Sequence, residues 1–543
     1  MNMKWTQLTG IVALLGWSVT AGAATNVRES VSSAGIQGNG NSFRTALSGD
    51  GRFVAFVSEA NNLVPGDTNG VRDVFVYDNQ TLQTERASLS TSGVQGDAYS
   101  GHQDENKASF PAISYDGRFV AFESAADNLV PGDTNGLPDI FVRDRLLGTT
   151  ERISVTSSGG QGDGPSYHPA ISYDGRYVVF CSDATNLVPG DTNGAADIFL
   201  KDRQTGVLTR VSVSSSGVQA SSDCMEPDIS GDGRFIAYHS GAPNLATNRI
   251  YNTWDVYVYE CATGIVEMVS RNNSGVEGDG QSVTAKLSAD GRYVAFNSGA
   301  HNLDSRDHNN SSNVFVADRS AHTIEMADLN DYGIQAETHA FWSGISGNGQ
   351  YVSFATDSGN LVPSDQNHTT DIYVYDRVNH RLRLASVTAA GAAGNAASDI
   401  PSISPDGHCV AYLTAATDLV AGDTNGVLDV ISTCGLDFTL PVPTPVPPAD
   451  FWVSRNAWKP ASDVPVQIRF SVPTPGRLSL KIYNSAGELV KVLRDGRFAS
   501  GTWAETVDWD GRNMHEEPVA SGVYLIRFEN PAGGRTAKLA VIQ

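Results

Sequence analysis

A nine-residue phrase, Ser48-Gly49-Asp50-Gly51-Arg52-Phe53-Val54-Ala55-Phe56, returns with its apolar alternation intact at Ser114, Ser172, Ser230, Ser288, Ser346 and Ser404. The last six serines stand 58 residues apart, while the first interval is 66 residues because of an insertion around Gly101 to Ala108. Seven copies at a fixed period demand a repeat architecture, in which each unit buries its apolar face against the next.

Each period reads as four short strands. Residues 111–114 lead into Asp116-Gly117, a pair expected to form a tight hairpin turn with both central residues at positive φ. The alternating residues 118–122 follow, then a long loop at 128–136, a third strand at 139–144 and a fourth at 151–155. Nothing in the period has helical spacing. Four antiparallel strands in each of seven units predict an all-β fold, a seven-bladed β-propeller. The seventh unit stops after its third strand, residues 429–433, and residues 28–38 match 86–96. The N-terminal strand is therefore expected to complete the last blade and close the ring, pairing what would otherwise be two open edges.

The Ser-x-Asp-Gly-Arg-Phe-Val-Ala-Phe phrase resembles the repeat of TolB-type, WD40-like periplasmic propellers, which also recurs in the propellers of prolyl-oligopeptidase-like enzymes. The resemblance covers residues 25–436 and implies the fold, since one fold of this kind hosts many activities. The additional N-terminal α/β domain of TolB has no room here, and no Gly-x-Ser-x-Gly nucleophile elbow occurs.

Residues 1–24 read as a secretory signal, with Lys4, an apolar stretch at 11–19 and Ala21-Gly22-Ala23 as the cleavage site. The apolar stretch is too short to span a bilayer comfortably, so an exported protein, periplasmic or extracellular in a bacterium and monomeric, is expected. The net charge of −23, from 60 Asp+Glu against 37 Lys+Arg without any basic run, argues against a nucleic-acid partner. A Pro-rich spacer at 437–450 precedes a second unit, 451–543, whose alternating segments argue for a small β-sandwich. Residues 507–512 and 518–524 resemble the immunoglobulin-like domain of flagellar hook-capping proteins. Its ending, with Lys538 in the last strand, loosely resembles C-terminal sorting domains of a Bacteroidetes secretion route.

Strand direction places the Asp-Gly turns and the turns after the third strands at one end of the ring. The long loops lie at the other end, which is the expected binding face. Four residues before each anchoring serine the copies differ, reading Arg44, Phe110, His168, Glu226, Thr284, Trp342 and Ile400. A position free to differ is not required by the fold in any one form, so His168, Glu226 and Trp342, with their neighbours Tyr167, Phe341 and His339, are candidates to line the mouth of the central channel. Tolerated loop residues are the plain alternative.

A second candidate is the Asp-Thr-Asn-Gly loop, with Asp67, Asn69 and Asp73 and their equivalents Asp133, Asn135 and Asp139, and Asp191, Asn193 and Asp197. Alternating oxygen donors on a glycine turn suit Ca²⁺, but the third acidic position and the bidentate glutamate of a twelve-residue calcium loop are missing. A plain Asx turn explains the pattern equally well. Of five cysteines, Cys409 and Cys434 fall at neighbouring places in one hairpin, where a disulfide would fasten the closing blade. The leading expectation is a non-catalytic exported protein presenting the long-loop face to a protein or glycan partner, with the tail as a docking or sorting module. The alternative is an enzyme processing extracellular polysaccharide or peptide at the channel mouth.

Overall fold

The structure, a computed structural model, describes residues 24–101, 110–247, 249–436, 438, 451–453, 457–458, 465–470, 476–498, 505–515, 517–530 and 533–542. The signal segment and nearly all of the Pro-rich spacer lie outside the described residues. Seven four-stranded antiparallel sheets follow one another, and we number them as blades 1 to 7 in chain order. Blade 1 is built from Ser42–Leu47, Phe53–Ser58, Asp73–Asp78 and Gln83–Arg86. Blade 7 takes three strands from Ser398–Ile403, Cys409–Thr414 and Asp429–Cys434. Its fourth is the N-terminal Thr25–Arg28, running antiparallel with Thr25 opposite Cys434 and Arg28 opposite Ile431. The expected closure is thus the one observed.

The phrase that repeats is the hairpin at the inner side of each blade. Ser48 Oγ accepts the N–H of Phe53 (2.9 Å) and donates to Asp50 Oδ1, while that carboxylate accepts the N–H of Arg52 (3.0 Å). Gly51 alone of the Asp-Gly pair has positive φ (71°), and the same holds at Gly117 and Gly175. The expectation of two left-handed residues is corrected: serine and aspartate side chains satisfy the turn's N–H groups, so only the glycine must leave the ordinary region. The residues after the anchoring serines are joined by a ring of backbone hydrogen bonds. The N–H groups of Gly49, Tyr115, Tyr173, Asp232, Ala289, Gly347 and Asp406 donate in turn to the carbonyls of Tyr115, Tyr173, Gly231, Ala289, Gly347, Pro405 and Gly49. Blade 7, whose Pro405 lacks an N–H, uses Asp406 instead.

Blades pack through the alternating apolar residues of their second and third strands. In blades 1 to 6 a stacked aromatic pair spans these strands, from Phe56 and Phe75 (5.9 Å) to Phe354 and Tyr373 (5.7 Å). A polar staple crosses most seams. Arg145 lies over the Phe53 ring (4.3 Å) and pairs with Glu85 of the preceding blade, and Arg203, Arg319 and Arg377 repeat the arrangement. At the closing seam Asn79 takes this place and donates to the wholly buried Glu29 (2.9 Å), which also accepts the Ser432 hydroxyl. A disulfide joins Cys409 to Cys434, with Cα atoms 4.1 Å apart.

The tail has two sheets, one of three strands and one of five, closed over a shared core that includes Ile468, Phe470, Leu480, Trp509, Ile526 and Phe528. Trp509 and Tyr524 are core residues, and the Tyr524 hydroxyl donates to the Ala520 carbonyl (2.8 Å).

Two outcomes follow for stability. Replacing Cys409 and Cys434 by alanine releases a 25-residue separation and should lower unfolding free energy by about 3 kcal/mol, read in denaturant titrations. Burial raises Glu29 and Asp328 to about 8, Asp371 to about 7 and Asp133 to about 6. A raised folded pKa favours the folded state fully below the unfolded value and loses that contribution as pH climbs through the folded value. The melting temperature should therefore fall steadily between pH 5 and pH 9, and a maximum at pH 8 or above would contradict these assignments.

Candidate functional site: the axial cavity

Among the described residues the first strand of every blade is an inner edge with no strand paired to it on the axis side. Proline suits such an edge because it has no N–H to leave unpaired, and Pro111, Pro169, Pro227 and Pro401 stand there. Six of the seven strands also slip register, for example between Phe43 and Thr45, Tyr167 and Ala170, and Met225 and Asp228. The bulged residue is the one four before the serine. Its φ is 49° at Arg44, 53° at His168, 48° at Glu226, 57° at Thr284, 56° at Trp342 and 55° at Ile400. Left-handed backbone costs a non-glycine residue roughly 1 kcal/mol, and β-branched Thr284 and Ile400 are outliers for their type. The bulge re-aims each of these side chains, as bulges near functional sites do.

Phe110, His168, Glu226, Thr284, Trp342 and Ile400 line one cavity of about 220 Å³ on the axis. Its two walls differ in chemistry. On one side the Phe110 and Trp342 rings meet edge to face (6.0 Å), and the Arg44 guanidinium lies over both, 4.9 and 5.5 Å from their centres. Across the ring stand Glu226, His168 and Thr284, with Asp228 and Lys286 3.7 Å apart below them. At the turn end Tyr173 lies across the axis. A Cβ on Gly231 would fall 2.6 Å from its ring, and one on Gly347, in blade 6, 2.8 Å from its hydroxyl. Only glycine leaves the space this ring fills.

Behind the polar wall is His239, buried on the second strand of blade 4, whose Nδ1 accepts the N–H of Thr284 (3.4 Å). Burial lowers its pKa, against the pull of Glu226. Burial opposes ionisation of Glu226 too, but the nearby His239, His168 and Lys286 and a hydrogen bond with Thr284 together outweigh it and hold the carboxyl below its ordinary value. A carboxylate so held is a poor proton acceptor and, at neutral pH, no proton donor, so the wall is better suited to holding a positive or hydrogen-donating group than to acid–base chemistry.

The structure thus brings His168, Glu226 and Trp342 to one cavity and sends their sequence neighbours elsewhere. Tyr167 points into the packing between blades 3 and 4, where its hydroxyl donates to Asp183 (2.7 Å). Phe341 packs against the cluster between blades 6 and 7. His339 is exposed in the preceding loop, its Nδ1 accepting the Ser312 N–H (3.0 Å). These three are corrections to the expected channel lining: Tyr167 and Phe341 because successive side chains of a strand alternate in direction, His339 because it lies in the loop before the strand. Missed altogether was the residue nine after each serine: Val57, Glu123, Cys181, His239, Asn297, Ala355 and Leu413. It stands behind the next blade's bulge, as His239 does toward Thr284 and Asn297 toward Ser343, whose N–H it accepts at 3.1 Å. Its variation among copies was the available signal.

In the Asp-Thr-Asn-Gly loops each carboxylate faces an arginine from the fourth strand. Asp67 pairs with Arg86 (3.0 Å), Asp133 and Asp139 with Arg152 (2.8 and 3.2 Å), and Asp191 and Asp197 with Arg210 (both 3.2 Å). Asp73 accepts the Ser88 hydroxyl, and Asn69 and Asn193 bridge to the next hairpin's carbonyls at 3.0 and 2.9 Å. Asn135 does the same at 3.1 Å. Blade 4 inverts the pair: the loop carries Arg249, the fourth strand Met268, and Arg249 bonds Asp255 (2.7 Å) and Glu277 (3.2 Å). Blade 6, with Leu384 in place of arginine, answers Asp365 with the Tyr373 hydroxyl (2.5 Å). Such exchanges mark a buried charge that the fold must balance. Among the described residues no group of three or more His, Cys, Asp or Glu side chains is arranged to hold a metal ion.

No known family model matches the chain, and no curated protein is found similar to it. Solved structures of similar fold include a putative TolB from Agrobacterium tumefaciens, at 17% identity over 52% of this chain and 79% of that one, with a TM-score of 0.33. An acylaminoacyl peptidase of Pyrococcus horikoshii matches at 11% identity over 80% of this chain and 58% of that one, TM-score 0.41. The extracellular domain of a putative hybrid two-component system from B. thetaiotaomicron matches at 8% identity over 96% of this chain and 59% of that one, TM-score 0.38. At such identities and scores the likeness says nothing about activity, and the propeller rests on its own strand pairing.

Arg152→Met should cost about 3 to 5 kcal/mol by leaving Asp133 and Asp139 buried without a counter-charge. A chelator should leave the melting temperature of the unaltered protein unchanged, and a chelator-induced fall would instead favour a cation at these loops.

Proposed function

We propose that this is an exported, non-catalytic binding protein whose propeller offers its long-loop face and axial cavity to a protein or glycan partner, with the sandwich as docking or sorting module. The observation that supports it most is the collection of the non-repeating residues His168, Glu226, Thr284, Trp342 and Ile400 on strained bulges around one cavity. Strain kept at one position of six blades costs stability and is expected where it serves recognition. Topology supports the choice of face. Thr25 and Cys434 pair beside Cys409, the first residue of its strand after the turn, so both chain ends leave blade 7 on the turn side.

The low pKa of Glu226 weighs against the polysaccharide- or peptide-processing alternative, which needs a proton donor and acceptor poised near the working pH. Probing a glycan and peptide array with the unaltered protein and with a His168→Ala/Trp342→Ala variant tests the reading. Signals held by the former should fall at least tenfold in the latter, and an unchanged pattern would overturn the cavity as the binding site.

A further inference from the structure

Among the described residues Glu226 is the acidic side chain of the polar wall that makes no salt bridge, the positive groups around it acting only at longer range. Asp228 has Lys286 at 3.7 Å and accepts the Leu287 N–H (2.8 Å). The Glu226 carboxylate has no lysine, arginine or histidine nitrogen within ion-pair distance among the described residues, and its positive φ of 48° commits it to the axis. A charge in a partly desolvated cavity is worth most to a ligand that supplies the missing partner. Facing it across the axis are the Phe110 and Trp342 rings, which carry the Arg44 guanidinium over them and leave the rest of their surface to a hydrocarbon stem. The volume, about 220 Å³, is below that of a drug-sized pocket and fits a side chain or a small amine.

From this geometry we infer that the cavity receives a primary ammonium group on an apolar stem, the ammonium at Glu226 and the stem against Phe110 and Trp342. This rests on the reading of the cavity as a binding site and specifies what enters it. The source is either a free aliphatic amine or the lysine side chain of a peptide, which present the same chemistry.

The test is calorimetric titration of the full chain with n-pentylamine, with 1-pentanol and pentanoate as neutral and anionic counterparts. A pentapeptide Gly-Gly-Lys-Gly-Gly is set beside its norleucine analogue to separate the two sources. The amine should bind and its counterparts should not. Glu226→Gln should weaken amine binding roughly tenfold or more, since a hydrogen bond to a charged group is lost. Lys286→Gln should strengthen it, because Asp228 then also lacks a cation, and this opposite sign guards against a variant that merely fails to fold. Pentanol binding as tightly as pentylamine, undiminished binding by Glu226→Gln, or no binding of either amine form overturns the proposal. If the array signals still depend on His168 and Trp342 in that event, the binding-site reading stands and only the ammonium assignment falls.

Discussion

Everything at the axis depends on four residues from the far end of the chain. Thr25–Arg28 supplies the outer strand of blade 7, and with it the seventh sheet, the last seam and the equal spacing of seven inner strands around one line. The seam it makes is unlike the others. Where an arginine staple crosses four of the other seams, Asn79 and Ser432 converge on the buried Glu29, whose carboxyl burial pushes up to about 8. A neutral acid here avoids burying a charge without a partner, and the neighbouring disulfide holds the same hairpin from its other side.

Closure sets the radius, and the radius makes the bulges matter. Inner strands meet only at the axis, so whatever the bulged residue carries is presented to its six counterparts. Glycine at these positions would relieve the left-handed backbone at once, yet Arg, His, Glu, Thr, Trp and Ile occupy them. The ring of turn-to-turn hydrogen bonds and Tyr173 fill the opposite end, so the cavity has a floor. The asymmetry of its walls, aromatic around blades 2 and 6 and ionic around blades 3 to 5, is imposed by sequence on a scaffold that is otherwise nearly sevenfold.

Much of this was legible in the sequence because the repeat acts as an internal alignment. The blade count, the borrowed strand, the Cys409 and Cys434 proximity and the axis position of His168, Glu226 and Trp342 all came from register alone. What escaped depended on side-chain direction or on contacts between elements far apart in the chain. Tyr167 and Phe341 are one residue from the bulge and turn away from the axis into blade packing. The arginines that answer Asp67, Asp133 and Asp191 sit 19 residues downstream on another strand, so the loop alone left a cation site open beside a plain Asx turn. The exchange of Arg249 with Met268 and Glu277 was present in the sequence and becomes intelligible only once the strands are paired.

The central claim is that recognition takes place at the non-repeating positions on the axis and not on the repeating loops. Amide hydrogen exchange on the full chain, with and without the strongest ligand found on the array, addresses it most directly. Slowed exchange along Ser166–Ile171, Cys224–Ile229, Ser282–Leu287 and Ala340–Ile345 is the predicted result. Protection confined to the Asp-Thr-Asn-Gly loops or the outer strands, with these four inner strands unchanged, would contradict it.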